Sequence, residues 1–469
     1  MKTRLSGLVI CLLMTCQQLW AQNQEEMPLT LDQAIKIGVQ RHELLKAKTN
    51  YMNASFEGIN AAKKDGLPDV IVSAQQAYGT LNGLNGLPSG ISGLIATVSG
   101  PVSNSQNWNG AFTGLYASEI DWNVFAFGLQ KAHVAEAKSF AAQSNADLEQ
   151  EVFRIKVQVA GAYLNLLAAR QLRNAADINL WRVSQLCDVI HTRTKYGLNA
   201  GVDSTIANAE LSKAKIALNN ALNYEQNQAA NLAIQLNINQ QSFALDTIYN
   251  TRIPASSPAV NAIDTLNHPE LRFLISRVNS SQSTSDFITK TGLPKLTAFG
   301  TLQERGSGFS PGYQPGVPSS YSRDYLTGID PIRQNYFVGV GIAWNISALS
   351  RSSSRSKAQR FITEGLKNEY NYLHITLNNQ LEEGNRRRKI ALENYKEAPL
   401  QLDAAEKAYA QKEALYNNGL ATIVDVTQAL YNLNAAETDL SIASNAVWQS
   451  FLYISASSGN LDSFQNNLN

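Results

Sequence analysis

Few residues of this chain are placed to do chemistry. Its five histidines, His42, His133, His191, His268 and His374, show no metal-ligand spacing and read as polar surface. There is no G-x-S-x-G, no phosphate-cradling glycine loop, no H-E-x-x-H and no Cys/His cluster, so no catalytic, cofactor or metal site is expected. The one charge run, Arg386-Arg387-Arg388-Lys389, has Glu382 and Glu383 beside it and reads as a solvated helix face. The carboxylates that stand out are Asp203 and Asp425. Each follows a Gly-Leu turn, Gly197-Leu198 or Gly419-Leu420, where an acid in a first helical turn interacts favourably with the positive end of the helix dipole. Cys187 lies among apolar residues at helical spacing and reads as a packed thiol.

With chemistry scarce, the elements that carry these residues become the subject. The chain has 469 residues, long enough for a large core, and only 16% are charged. Lys+Arg 39 against Asp+Glu 38 gives no basic field for nucleic acid. Residues 1–21, with Lys2 and Arg4 before an apolar run and Leu19-Trp20-Ala21 at its end, read as a secretory signal. The alternative, acylation of Cys16, meets a poor preceding residue in Thr15. Cleavage after Ala21 would also remove Cys11, leaving Cys187 without an intrachain partner. No later apolar run is long enough for a transmembrane helix, which says nothing against a β-barrel.

The chain repeats itself. Asp121-Trp122-Asn123 is echoed by Ala343-Trp344-Asn345, Gly197-Leu198 by Gly419-Leu420, and Val202-Asp203 by Val424-Asp425, always 222 residues on (344 − 122). Gly66-Leu67-Pro68 returns as Gly292-Leu293-Pro294 at 226 (292 − 66). Two copies are expected, 22–250 and 251–469, with a linker around Pro254, Ser256, Ser257 and Pro258. Each copy is expected to hold a helix, a strand pair and a long helical hairpin. In the first, the helix runs from Thr30, with a Thr30/Gln33 capping box, to Lys64. In the second it runs from Pro269 to Lys290.

Alternation predicts strands at 107–123 and 334–347, preceded by strands at 69–80 and 295–304 that alternate less cleanly. One parity carries Trp108, Phe112, Tyr116, Ile120 and Trp122 in copy one, and Tyr336, Val338, Val340, Ile342 and Trp344 in copy two. The other carries Asn107, Asn109, Thr113, Glu119 and Asp121, or Asn335, Gly339 and Gly341. Loops rich in Gly, Ser, Pro and Asn separate the strands of each pair, at 81–106 and 306–333. Apolar residues stepping 4,3,4,3 (Leu148, Val152, Ile155, Val159, Ala162, Leu166, Ala169) predict coiled-coil hairpins over 131–236 and 352–457. Ala207, Leu211 and Ala214 return as Ala429, Leu433 and Ala436. The fold class is therefore α+β, mostly α, with an internal duplication. Four strands cannot close a barrel, and an open sheet in lipid leaves its edges unsatisfied, so several chains must pool strands.

Together these motifs resemble the TolC-type outer membrane efflux proteins. The resemblance rests on Leu29-Thr30-Leu31-Asp32-Gln33-Ala34-Ile35, on Gly-Leu-Pro before a strand in both copies, and on Trp122-Asn123-Val124-Phe125 with Gly128 and Val134-Ala135-Glu136-Ala137. It rests most on Gly419-Leu420-Ala421-Thr422-Ile423-Val424-Asp425-Val426 and its echo from Gly197 to Asp203. It implies a homotrimer with a 12-stranded outer membrane β-barrel, four strands per chain, continued by a periplasmic α-helical coiled-coil barrel in a Gram-negative bacterium. The partners it implies are a periplasmic adaptor protein, an inner-membrane pump and outer membrane lipid. The function it implies is an exit duct of a tripartite efflux or type I secretion system, with no enzyme activity and no cofactor.

The resemblance also assigns residues. The helix tips, Gly197, Leu198, Gly201 and Val202 with Gly419, Leu420, Ile423 and Val424, become the adaptor-docking ends. Asp425 becomes an acidic ring at the periplasmic mouth, Gln428 takes the place of a second ring, and Asp203 and Tyr416 clamp the tips. The family's cationic clamp position falls at Ala421, which carries no charge. Trp108, Phe112, Tyr116, Trp122, Tyr336 and Trp344 are the expected membrane-facing aromatics, with Trp122 and Trp344 either belt anchors or packing where strand meets helix. The competing reading, a secreted or periplasmic coiled-coil scaffold or adhesin without a pore, explains the heptads and leaves the aromatic strand pairs unexplained.

Overall fold

The computed structural model describes residues 28–82, 105–239, 242–253, 263, 265–462 and 464. The expected signal 1–21 with Cys16, the 254–258 linker and most of the 81–106 loop lie outside the described residues. In chain order the elements are α1 (Leu31–Arg41), α2 (Glu43–Lys64), β1 (Asp69–Thr80), β2 (Gly110–Phe125), α3 (Leu129–Lys195), α4 (Gly201–Leu236) and α5 (Ile248–Thr251). There follow α6 (Pro269–Lys290), β3 (Lys295–Ser307), α7 (Tyr325–Ile329), β4 (Arg333–Ala343), α8 (Ile346–Asn417) and α9 (Ile423–Ser458). Among the described residues no helix is long and apolar enough to cross a membrane. The chain divides into two compact units: Met1–Asn53 with Ala142–Val278 and Gly365–Asn469, and Ala54–Ala141 with Asn279–Glu364.

The first unit is helical. Its start follows from sequence: the Thr30 side chain accepts from the Gln33 N–H and the Gln33 side chain accepts from the Thr30 N–H, the expected capping box. The single helix expected over 30–64 is instead broken at His42, whose backbone is extended. The break lets α1 turn its Leu31, Ala34 and Ile35 face onto the largest core cluster of the chain, where Val159, Tyr163, Leu166, Leu232, Leu236, Trp448, Phe451 and Phe464 meet. The buried ring polar groups there are satisfied: Tyr163 donates to the Leu29 carbonyl at 2.8 Å and Trp448 Nε1 donates to the Tyr249 carbonyl at 2.9 Å. His268, expected at the surface, is wholly buried and meets Phe153 edge to face. The heptad positions Ile155, Val159, Ala162, Leu166, Ala169, Val183, Cys187 and Ile190 are all buried, as are Ala207, Ala214, Ala429, Leu433 and Ala436. Small Ala side chains alternating with Leu permit the close approach of these helices.

The second unit holds a four-stranded antiparallel sheet in the order β1-β2-β3-β4. Asp69 pairs with Asp121, Thr113 with Ser307, and Lys295 with Ala343. Cross-strand partners share a face, so this register puts the even-numbered residues of all four strands on one side. That side carries Val70 and Val72, Ile120 and Trp122, Leu296 and Leu302, and Tyr336, Val338, Val340 and Ile342, nearly all exposed. The other side carries Asp69, Gln75, Glu119, Asp121, Thr301, Gln303, Arg305 and Asn335, interrupted by Ile71, Leu115, Phe299 and Phe337. Between Asn123 and Phe125 a bulge shifts the register, so Phe125 pairs with Leu296.

The apolar band ends at Glu304, which accepts from Gln334 at 2.7 Å on the same side. Beyond that pair the 306–333 segment, expected as an open loop, folds back over the sheet. Tyr116 donates to the Ile329 carbonyl at 3.3 Å and Tyr325 donates to Gln76 at 2.6 Å. Phe112 packs between Tyr78 and Tyr325, at ring distances of 4.8 and 5.1 Å. Glycine permits this approach: a Cβ on Gly114 would lie 2.9 Å from the Ile329 carbonyl oxygen, and one on Gly328 would strike the Phe112 side chain and backbone.

These contacts set a test. Gly328→Ala should lift α7 from β2, so that limited proteolysis in detergent cleaves the 318–332 segment far faster than in wild type. Gly312→Ala, whose new Cβ meets nothing within 4 Å, should leave the cleavage rate unchanged.

Candidate functional site

The two helical turns that the sequence singles out lie in the first unit, and their backbones are copies of one another. Gly197 and Gly419 sit in the left-handed region at φ 73° and 76°. Around each, two bonds close the helix end: Gly197 N–H to the Thr194 carbonyl and Leu198 N–H to that of Arg193, then Gly419 N–H to Tyr416 and Leu420 N–H to Leu415. Gly201, the other glycine of the first tip, has no positive φ and opens α4. Leu198 and Leu420 are 72% and 75% exposed, and Val202 and Val424 project beside them. Ile423, placed with them by sequence, is instead buried with Leu186, Cys187, Ile190, Tyr416 and Val426. In that cluster burial pushes the Cys187 thiol up from its ordinary value.

The polar residues of the two tips are not copies. At α9, Thr422 accepts from the Asp425 N–H, and Asp425 Oδ2 accepts from the Thr422 N–H and hydroxyl at 3.0 and 2.8 Å. Its other oxygen takes Lys412 Nζ at 3.1 Å. The bonds from Thr422, aided by Lys412, hold the Asp425 carboxyl at about 2. At α4 the matching residue to Thr422 is Ala200, which caps nothing. Asp203 therefore does something else: it accepts from Asn199 Nδ2 at 2.9 Å, and the same Nδ2 donates to the Tyr416 hydroxyl at 2.8 Å. Asp203 and Tyr416 are thus brought together through Asn199. Gln428 donates to Asn432, one turn on.

Sequence reading missed the cation that ties one tip to the other. Arg193 donates to the Tyr416 and Asn417 carbonyls, both at 3.1 Å, with its guanidinium 5.3 Å from the Tyr416 ring centroid. These carbonyls belong to the last turn of α8, where a cation also meets the negative end of the helix dipole. Higher up, Arg182 makes a two-pronged bond to Glu437, at 2.7 and 3.0 Å. Arg193, Asn199 and Lys412 fall at Leu415, Ala421 and Ile190 when the repeat offset is applied. A polar residue at only one of two duplicated positions was the available signal.

The expected aromatics lie in the second unit. Trp122 Nε1 donates to the Gly66 carbonyl at 3.1 Å and Trp344 Nε1 to that of Gly292 at 3.0 Å, so both indoles pin a Gly-Leu-Pro turn. Tyr336 stands in the exposed apolar band and Trp108 protrudes, 82% exposed, just before β2. Phe112 and Tyr116 keep the expected face, but α7 covers them there. The Arg386–Lys389 run behaves as a helix face, Arg386 and Arg387 both binding Glu383. Among the described residues no three His, Cys, Asp or Glu side chains gather as a metal site.

The described chain combines an open sheet with one apolar face and two long helical hairpins whose turns repeat each other. The sequence profile described as outer membrane efflux protein matches residues 36–237 and 265–460, and the chain belongs to that family. No curated protein sequence matches it. Its fold is similar to the CmeC outer membrane channel of Campylobacter jejuni (TM-score 0.73, 15% identity, 92% of this chain and 85% of that one). It is similar also to VceC of Vibrio cholerae (0.70, 15%, 92% and 96%) and to the open state of the Neisseria gonorrhoeae MtrE channel (0.65, 15%, 92% and 89%).

The Asp425 geometry gives a pH test. A carboxyl held at about 2, below its ordinary 3.8, stabilises the helix start above about pH 4 and loses that effect as pH falls through 2. Amide protection over 423–426, corrected for intrinsic exchange, should therefore drop between pH 4 and 2 in wild type. Asp425→Asn should start lower at pH 5 and show no such step.

Proposed function

We propose that three copies of this chain form an outer membrane exit duct, serving an inner-membrane pump through a periplasmic adaptor. The observation that carries this is the sheet: it has an exposed apolar face and two unpaired edges, at β1 and β4. Such a sheet is tolerable in a bilayer only if neighbours pair with both edges. Three chains supply twelve strands, enough for a closed barrel around an aqueous lumen. From Tyr336 to Ile342 the band spans about 20 Å at roughly 3.3 Å per residue, close to the ~25 Å apolar height of such barrels. Trp122 and Trp344, at its lower margin, suit an interfacial belt while their N–H groups hold the turns below. Signal cleavage after Ala21 and two repeats spanning 22–250 and 251–469 are parts of the same proposal.

In this reading the helical tips face the periplasm. Leu198, Val202, Leu420 and Val424 form the adaptor-docking end. Arg193, Asn199, Asp203 and Tyr416 form a latch between the two hairpins that keeps the mouth narrow. Asp425 starts α9, and three copies of it around the axis would add negative charge to the mouth.

Purified protein in detergent should give the mass of a trimer and conduct ions in planar bilayers; a stable, non-conducting monomer would refute the duct. Val338→Arg, in mid-band, should block trimer recovery, since such a charge facing lipid costs about 2–4 kcal/mol. Thr301→Arg, on the opposite face, should assemble. Arg193→Ala should raise closed-state conductance severalfold, because it removes two charged hydrogen bonds, each about 1.5–3 kcal/mol. Arg193→Lys should fall between.

A further inference from the structure

The repeat determines more than the number of strands. Adding 226 to β1 and 222 to β2 carries the pair Asp69↔Asp121 onto Lys295↔Ala343, which is the observed register of β3 with β4. The same two offsets carry the Trp122–Gly66 bond onto the Trp344–Gly292 bond. Both strand pairs and their anchoring turns are thus superposable units. Within the chain, the second strand of the first pair, β2, bonds to the first strand of the second pair, β3, with Trp122 opposite Ala298 and Asp121 opposite Phe299. The edges left over are the second strand of the second pair, β4, and the first strand of the first pair, β1.

From this symmetry, and resting on the pooled-barrel reading above, we infer that β4 of one copy pairs antiparallel with β1 of the next in a single register, Val340 opposite Gln76. Subtracting 226 from the β3 partner and adding 222 to the β2 residue gives each pair. Glu119↔Thr301 becomes Gly341↔Gln75, Asp121↔Phe299 becomes Ala343↔Ser73, and Trp122↔Ala298 becomes Trp344↔Val72.

The side chains on the two edges suit this register. It keeps even residues opposite even ones, so the apolar side continues across the joint and no strand turns its polar side to lipid. Val338 meets Tyr78, an aromatic against a β-branched residue. Phe337 meets Gly79, which repeats a contact already present inside the chain. There the Phe299 ring lies over Gly339, its cross-strand partner, so close that a Cβ would come within 2.8 Å of it. The Gly339 and Gly341 positions meet Ala77 and Gln75, small or unbranched groups, with no like charges opposed along the joint. A shift of two residues would keep the faces but move the Phe337 ring from Gly79 onto Ala77 or Leu81.

Cysteine pairs test the register in the full-length protein in outer membranes, with Cys187→Ala as background. Val340→Cys with Gln76→Cys should oxidise to a ladder ending at a covalent trimer. Val340→Cys with Ala74→Cys, or with Tyr78→Cys, should give roughly five-fold less, because disulfides tolerate only a narrow Cα separation. Ile342→Cys with Ala74→Cys is the second in-register pair, in case the first assembles poorly. Trimers that crosslink best in an off-register pair would overturn the register and leave the barrel intact. Absence of trimers in the Cys187→Ala background would overturn the barrel, and the register with it.

Discussion

Every β-strand exposes a row of N–H and C=O groups, and in an apolar surrounding each one left unpaired costs several kcal/mol. This constraint governs the second unit. Its sheet satisfies the inner strands itself and presents β1 and β4 incomplete, beside a band of Val, Ile, Leu and Tyr that water does not favour. Beyond Glu304 and Gln334 the chain supplies its own cover, laying α7 over Phe112 and Tyr116 and using glycines to bring backbone against backbone. In the proposed trimer the sheet's open edges are finished by neighbours, whereas the cover over Phe112 and Tyr116 is supplied within the chain.

The helical tips show the opposite strategy. Their backbone is duplicated down to the αL glycines, the closing hydrogen bonds and the exposed Leu and Val. Their polar chemistry is not. Thr422 and Asp425 cap one helix, whereas Ala200 leaves the other uncapped and frees Asp203 to reach Tyr416 through Asn199. Arg193 then crosses from one hairpin to the last carbonyls of the other. Identical frames keep the surface alike on both tips, and unlike side chains let the two tips hold each other.

Periodicity made much of this legible. The Thr30/Gln33 box, the strand parities, the buried heptad positions and the Gly-Leu turns all express local rules in which a residue and its near neighbours determine the outcome. What escaped depends on partners distant in sequence. The break at His42 serves a core assembled from α3, α4 and α9. Burial of Ile423 and His268 follows from which hairpin lies alongside, and neither residue's own segment reveals that. The α7 cover comes from a segment whose composition reads as loop, and its binding depends on Gly114, two strands away. The family's cationic position at Ala421 is empty of charge, while Arg193 enters from the other repeat, 223 residues from Tyr416.

The superposable strand pairs have a consequence for ancestry. A polypeptide of one repeat would own one strand of each kind, and hence both halves of the joint that β2 and β3 make within this chain. In the proposed barrel, six such half-length chains would supply the same twelve strands in the same register. Fusion of two therefore leaves the barrel wall as it was. What it adds is the freedom for the two halves to diverge, and that freedom is spent at the tips, where one half provides the arginine and the other the carbonyls that receive it.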